Sequence, residues 1–216
     1  MTQTKKRDLL ETFFKSHTRM QFKKGETIVR PEDDPSGVFL IEWGFVKACV
    51  LTKYGEENLL LVRSSGSVFP LIWAFIGEHG NSYYEAMEET SLWRVSRAEY
   101  LEFLEENPEV MPIILDMVME SYRLHSERVM TLSYRTARER IVSFLFSLSE
   151  RFGIYDRKSD TTTIHAPFRQ ADIASSVNAT RETTSREINA LKQRGLIDIQ
   201  DHKIIIKNEE ELRALL

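Results

Sequence analysis

The chain has 216 residues and a mass of 25.2 kDa, a length that accommodates one or two domains. Hydrophobic residues make up 42% of the sequence and charged residues 29%, a composition typical of a soluble globular protein. Its apolar runs are shorter than the roughly 18 residues of a membrane-spanning helix, and the N-terminal segment does not resemble a secretion signal. The single cysteine, Cys49, excludes an internal disulfide and a four-cysteine metal site. We therefore expect a cytoplasmic protein with no membrane partner.

Charge is distributed unevenly along the chain. The formal net charge at pH 7 is −4. Residues 1–135 contain 16 Lys and Arg against 21 Asp and Glu, whereas residues 136–207 contain 12 against 9. A positive excess confined to the C-terminal third is a weak indication of nucleic-acid binding.

The first hundred residues are predicted to form short β-strands. Segments rich in Ile, Val, Leu and Phe alternate with turn residues at a spacing of roughly 8–12 residues, which is typical of a β-sandwich or barrel. A short helix at residues 97–106 is predicted to close this unit. The predicted strands are residues 27–30, 38–42, 45–52, 58–63, 83–88 and 91–95.

Residues 109–134 are predicted to form one long helix, because they contain no glycine and no proline after Pro112. A helix with one apolar stripe packs on its own domain, and a second stripe requires a second partner. Pairing with the same helix in a homodimer would use both stripes; the alternative is a fully buried helix in a monomer. The first stripe comprises Val110, Ile113, Met117 and Leu124. The second comprises Ile114, Val118, Tyr122, His125, Val129 and Leu132.

The C-terminal third is predicted to contain a winged helix-turn-helix. A helix at residues 137–152 precedes a polar loop or small hairpin, and two short helices then flank Asn178, which tolerates the left-handed conformation of a tight turn. Thr180 is the predicted N-cap of the second short helix, and Gly195 ends it. Two helices across such a turn make a helix-turn-helix. The apolar run that follows, with a turn at residues 201–202, predicts the hairpin wing.

Charged and polar side chains share one face at the start of the second short helix. These residues are Arg181, Glu182, Ser185 and Arg186. That end of the helix enters the major groove of DNA, where arginine pairs with guanine and glutamate accepts a hydrogen bond from cytosine. The alternative is a solvated face with an ion pair between Glu182 and Arg186. In the wing, Lys203 and Lys207 are placed to contact phosphate.

The chain resembles the CRP/FNR family of bacterial transcription factors over nearly its whole length. The resemblance is carried by RQADIASSVNATRETTSREINALKQRGLI and by FKKGETIVRPEDDPSGVFLIEWGFVKACVLTKYGEENLLLVRSSGS, the latter similar to half of a cyclic-nucleotide-binding barrel. It implies an α+β fold with an antiparallel jelly-roll β-barrel over residues 1–108, a dimerisation helix over 109–135 and a winged helix-turn-helix over 136–216. It also implies a homodimer that recognises a palindrome with TGA-like half-sites in double-stranded DNA, and it allows RNA polymerase as a partner.

Roles for individual residues also follow from the resemblance. The family's base-reading positions are matched by Arg181, Glu182, Arg186 and, in the fumarate–nitrate branch, Ser185. Gln170 and Thr180 match phosphate contacts at the entrance of the helix-turn-helix. In the family, an effector in or near the barrel repositions the DNA-binding domains.

The segment 65–89 departs from the pattern of the cyclic-nucleotide-binding members. Pro70-Leu71-Ile72 stand where those members have Gly-Glu-Leu, and no arginine lies between Arg63 and Arg94. A buried phosphodiester without a cation is costly, so we do not expect cyclic AMP to bind.

No other cofactor is expected either. One cysteine cannot hold an iron–sulfur cluster, and an isolated histidine such as His79 or His125 is more often a surface residue than a haem ligand. The aromatic side chains of the segment form either an apolar effector pocket or the filled interior of a barrel in a constitutive regulator. The candidate pocket residues are Phe69, Trp73, Tyr83 and Tyr84.

Two other classes of function are alternatives to a DNA-binding regulator. A small-molecule sensor acting mainly through protein partners would retain the same fold without sequence-specific DNA binding. An enzyme is not expected, because the sequence shows no catalytic triad spacing, metal-ligand cluster or phosphate-binding loop, and Cys49 in a strand is more often a core residue.

Overall fold

Two separate units make up the chain. The computed structural model describes residues 2–31, 33–53, 55–78, 81–200 and 203–216. Backbone contacts divide the chain into Met1–Leu124 and His125–Leu216. None of the helices in these described ranges has the length and apolar character of a membrane span.

The N-terminal unit contains two antiparallel sheets flanked by helices. Its strands are β1 (Thr18–Phe22), β2 (Thr27–Val29), β3 (Val38–Trp43), β4 (Val46–Leu51), β5 (Glu57–Arg63), β6 (Val68–Phe69), β7 (Ser82–Ala86) and β8 (Thr90–Val95). One sheet has the order β1-β8-β3-β6 and the other β2-β7-β4-β5. Its helices are α1 (Gln3–Lys15), α2 (Leu71–Ile76), α3 (Arg97–Glu106) and, after a 3-10 turn at Pro108–Val110, the first part of α4 (Met111–Ser133).

The predicted strands are all present, with ends that differ by one or two residues, and helix α3 has its predicted limits. Helices α1 and α2 and strands β1 and β6 were not predicted. Helix α2 has the sequence LIWAFI, an apolar run without the polar face that identifies a helix by its period. Helix α1 is amphipathic, and only Leu10 and Phe14 of its residues are fully buried.

Two groups of buried side chains form the core of the N-terminal unit. In one, α1 packs on α3 and α4, with the rings of Phe13 and Phe103 stacked 3.9 Å apart. In the other, the rings of Phe39, Phe69 and Tyr84 stack in series between the two sheets, with centroids 5.3 Å and 4.9 Å apart. Aromatic stacking of this kind fills the interior of the barrel.

The C-terminal unit combines four helices with a small antiparallel sheet, in addition to the end of α4. Its elements are α5 (Ala137–Phe152), β9 (Gly153–Asp156), β10 (Thr161–Ile164), α6 (Gln170–Ser176), α7 (Arg181–Gln193), β11 (Ile197–Gln200), β12 (Lys203–Ile206) and α8 (Glu209–Arg213). The sheet order is β11-β12-β10-β9. The segment predicted as a polar loop or small hairpin after α5 is a hairpin, formed by strands β9 and β10. The predicted turn at Asp201-His202 lies outside the described residues.

The limits of α5 show why the sequence located this unit well. Thr136 accepts a hydrogen bond from the backbone N–H of Glu139, and the Glu139 carboxylate accepts one from the backbone N–H of Thr136. This reciprocal capping box starts the helix, and Gly153 follows its last residue. The Glu139 carboxyl has a lowered pKa because it accepts hydrogen bonds from the backbone and side chain of Thr136.

The turn between α6 and α7 depends on Asn178, whose φ is +50°. Replacing Asn178 with valine is expected to destabilise the C-terminal unit by about 1–2 kcal/mol, because a β-branched residue is strained in the left-handed region. The matched variant Asn178→Gly, which lacks this strain, should retain nearly the full stability. Denaturant unfolding of both variants measures the difference, and equal free energies of unfolding would contradict this account of the turn.

Candidate nucleic-acid interface

Helices α6 and α7 are fixed by their buried faces. Ile173 of α6 and Ile188 and Leu191 of α7 are each 1% exposed or less. The backbone N–H of Thr183 donates to the hydroxyl of Thr180 at 3.1 Å, which caps the N-terminus of α7. The exposed face at the start of α7 therefore has a defined position on a packed helix pair.

That exposed face carries the predicted base-reading residues. Arg181, Glu182 and Arg186 are exposed, and Ser185 is half-buried. The Arg186 side chain is 72% exposed, and its Nε lies 3.6 Å from the carboxylate of Glu187. Among the described residues, the alternative ion pair between Glu182 and Arg186 is not formed. The two arginines and Glu182 are thus on the surface at the helix N-terminus.

Glu182 is held in its ionised form at this helix end. Its pKa is lowered mainly by a hydrogen bond from its own backbone N–H, and further by the Thr180 hydroxyl and the charge of Arg181. A carboxylate near a helix N-terminus also interacts favourably with the helix dipole. The side chain is therefore an acceptor at neutral pH, as hydrogen bonding to cytosine N4 requires.

The other predicted DNA contacts lie on different elements. Gln170 and Thr180 are exposed at the N-termini of α6 and α7, and Lys203 is half-buried in β12. Lys207 is exposed and pairs with Asp198 at 3.2 Å. The pKa of Asp198 is lowered to about 2, chiefly by a hydrogen bond from the backbone N–H of Ile199 and then by Lys207. Both wing lysines stay predicted phosphate contacts, because a solvent-exposed ion pair such as that of Lys207 contributes little.

One contact of α7 was not predicted from the sequence. Arg138 of α5 donates from Nε to the carboxylate of Glu187 at 2.8 Å, and the Glu187 side chain is only 14% exposed. The pair joins the start of α5 to the middle of α7. The two residues are 49 positions apart, so no local pattern indicates it.

The second stripe of α4 is largely exposed in the single chain. Val118 is 41% exposed, Tyr122 68% and Val129 69%, and His125 is exposed as well. The prediction that Ile114 belongs to the dimer interface was wrong, because this residue is 1% exposed and packs in the core of the N-terminal unit. Further exposed apolar side chains on α4, which the stripe did not include, are Met111, Leu115, Met119 and Met130. An apolar surface of this kind indicates an interaction partner.

The prediction of a shared pocket was wrong: in the described part of the chain, its four residues do not line one cavity. Phe69 and Tyr84 stack within the core, and Trp73 packs against the other core group. Tyr83 lies on the opposite face of β7 from Tyr84, because successive strand residues point to opposite sides. There it borders an open depression of about 490 Å³ that includes Glu57 and Glu85. His79, the other effector-site candidate of this segment, lies outside the described residues.

Arg63 is a half-buried cation that the sequence did not single out. Its Nη2 donates to the hydroxyl of Ser121 on α4 at 3.2 Å, and its buried Nε has no hydrogen-bond partner within the described part of the chain. Burial lowers the pKa of the guanidinium, and the neighbouring Tyr84 opposes that shift. A buried polar atom without a hydrogen bond is costly, so the Nε of Arg63 differs from the apolar side chains around it.

These features define a class of protein, the DNA-binding transcription regulators. Such a protein combines an antiparallel β-domain, a long helix and a winged helix-turn-helix. Two family models match the chain, the cyclic nucleotide-binding domain over residues 19–107 and the Crp-like helix-turn-helix domain over residues 139–215. The chain belongs to the CRP/FNR family of transcription regulators.

Several regulators are among the known proteins with similar sequences. The global nitrogen regulator of Synechococcus elongatus is 29% identical over 192 residues, which cover 87% of this chain and 85% of that protein. Electron transport regulator A of Shewanella oneidensis is 26% identical over 196 residues, covering 89% and 76%. The solved structure of FixK2 from Bradyrhizobium japonicum has the same fold, with a TM-score of 0.74, 23% identity and coverage of 92% and 96%.

Proposed function

We propose that the protein is a homodimeric regulator that binds a palindrome with TGA-like half-sites in double-stranded DNA. One observation carries this proposal: Arg181, Glu182 and Arg186 lie exposed together at the capped N-terminus of α7. Two arginines provide guanine-reading donors, and the ionised Glu182 provides an acceptor that phosphate would repel. The combination favours base reading over non-specific contact with the backbone. Further proposed contacts are Ser185, Gln170, Thr180 and Lys203.

The proposed dimer forms through the exposed apolar side chains of α4. Val118, Tyr122, His125 and Val129 recur at helical spacing, so two copies can pair along them. A twofold dimer presents two recognition helices, the α7 of each chain, to half-sites one helical turn of DNA apart, and a palindromic operator matches that symmetry. The proposed domains are residues 1–108, 109–135 and 136–216.

For the effector, the proposal is a ligand other than a cyclic nucleotide, or none. The stacked rings of Phe39, Phe69 and Tyr84 support a filled barrel and a constitutive regulator. If an anionic effector enters, Arg63, whose Nε is buried, is the cation that it would contact. The proposed location is the cytoplasm, with RNA polymerase as a further partner.

A second candidate is a sensor that acts mainly through protein partners. It is favoured by the exposed apolar side chains of α2, since Ile72 is 71% and Ile76 64% exposed. Such a protein would bind a partner without preferring any DNA sequence. The two candidates therefore differ in a property that is directly measurable.

The test is a selection of random duplex DNA on the ligand-free protein at about 0.15 M salt. We expect enrichment of an inverted repeat with TGA-type half-sites, bound with an affinity that falls steeply as salt increases. Enrichment by the ligand-free protein would support the constitutive form. Retention of DNA without any enriched sequence would contradict the proposed function and favour the sensor.

A further inference from the structure

Arg140, near the start of α5, contacts two separate parts of the C-terminal unit. Its Nε donates to the backbone carbonyl of Val177 at 2.8 Å, at the end of α6. Its Nη1 donates to the carbonyls of Tyr134 and Arg135 at 3.1 Å and 3.2 Å, just after α4 ends. One half-buried guanidinium thus bridges the end of the long helix and the turn that precedes α7.

The charges around these helix ends explain the bridge. The last turns of α4 and α6 contain no basic residue of their own, although helix C-termini carry partial negative charge. A cation near the N-terminus of α5 is unfavourable for that helix, so its contacts with the carbonyls of its neighbours offset the cost. Arg128 of α4 adds a contact to the same end of α6, from Nη2 to the Ser175 carbonyl at 3.4 Å.

The two ends of this bridge lie next to the helices that the proposed dimer uses, α4 and α7. Val177 is fully buried and immediately precedes Asn178, the left-handed residue of the turn into α7. In the proposed dimer, α4 forms the seam and α7 enters the major groove. The angle between these helices sets the distance between the two recognition helices, which must match about 34–36 Å on DNA.

We propose that Arg140 is a positioning residue that sets the half-site spacing accepted by the dimer. The proposal rests on the proposed function, since spacing is meaningful only for a dimer on a palindrome. A guanidinium suits this role because its planar fork donates in two directions at once. Lysine provides a single ammonium, which cannot reach both ends of the bridge.

The experiment compares the wild-type protein with Arg140→Gln on a series of operators. The half-sites come from the selection and are moved together or apart by one or two base pairs, each step rotating one half-site by about 34–36°. The wild-type protein is expected to prefer one spacing by at least about tenfold in affinity. In Arg140→Gln this preference should fall to within about threefold, while binding to a single half-site is retained.

Controls separate positioning from simple loss of stability or charge. Arg213→Gln removes the same charge but breaks contacts at α8, namely an ion pair with Glu209 and the packing of Arg213 over the Phe146 ring, so its spacing profile should match the wild type. Arg140→Lys keeps the charge and is expected to flatten the profile as Gln does. It also serves as the test if circular dichroism shows that Arg140→Gln is unfolded.

Two results would overturn the proposal. A variant at position 140 that binds every operator more weakly by the same factor, with the wild-type spacing preference intact, would show a purely structural role. A wild-type profile in Arg140→Lys would show that charge alone suffices. A wild-type protein that binds no palindrome at any spacing would instead refute the proposed function, and this failure is visible without any variant.

Discussion

Substituting glutamate for Val118 is expected to convert the protein into a monomer with weak affinity for palindromic DNA. Val118 is 41% exposed at the centre of the apolar side chains of α4. In a twofold dimer each substitution occurs twice, and burying an unpaired carboxylate costs several kcal/mol per ion, so the dissociation constant should rise at least about a thousandfold. Light scattering measures the mass against the 25.2 kDa of one chain.

The control for this variant is Arg123→Gln, which changes the charge of the same helix by the same amount. Arg123 lies away from the apolar stripe and pairs with Glu120 at 2.8 Å on the helix surface. It should remain a dimer. If Val118→Glu is still dimeric at micromolar concentration, the dimer seam is elsewhere and the α4 proposal is wrong.

The apolar pattern of α4 illustrates how far the sequence could define this surface. Ile114 and Val118 are four residues apart, so periodicity places them on one stripe. The structure separates them, because at Ile114 the helix still packs on the core of its own unit, whereas at Val118 it does not. Periodicity identifies a face of a helix, but what covers each part of that face depends on tertiary packing.

The helix-turn-helix was predictable residue by residue because local chemistry determines it. Asn178 adopts the expected positive φ, and Thr180 is the N-cap of α7. These features act over three or four residues, which a sequence displays directly. By contrast, Arg138 contacts Glu187, 49 positions away, and Arg140 contacts Val177, 37 positions away. No sequence pattern indicates contacts over such distances.

The positions of the aromatic side chains in segment 65–89, in contrast, were not predictable from the sequence. Phe69, Trp73, Tyr83 and Tyr84 are close in sequence, and their composition favoured a pocket. Strand β6, helix α2 and strand β7 instead direct them into different regions. The decisive fact is that Tyr83 and Tyr84 are neighbours on a strand and therefore face opposite sides. Composition alone cannot distinguish a lined cavity from side chains that stack on each other.

Removing the Arg186 side chain with alanine is expected to weaken operator binding and to relax the preference at one base pair of each half-site. An arginine that pairs bidentately with guanine contributes about 1–3 kcal/mol of discrimination. A palindrome contains two such contacts, so the affinity should fall between about 30-fold and 10⁴-fold. Stability should change little, because the side chain is 72% exposed and its ion pair with Glu187 is 3.6 Å long.

The measurement is the affinity of wild type and Arg186→Ala for operators that differ at single symmetric positions. If Arg186 reads a base, one substituted operator should bind both proteins equally well, and the other positions should keep their effects. Lys192→Ala is the control, since it removes a positive charge from the C-terminal end of the same helix, where Lys192 pairs with Asp198 at 3.5 Å. An equal loss on every operator, with a smaller salt dependence, would identify Arg186 as a phosphate contact instead.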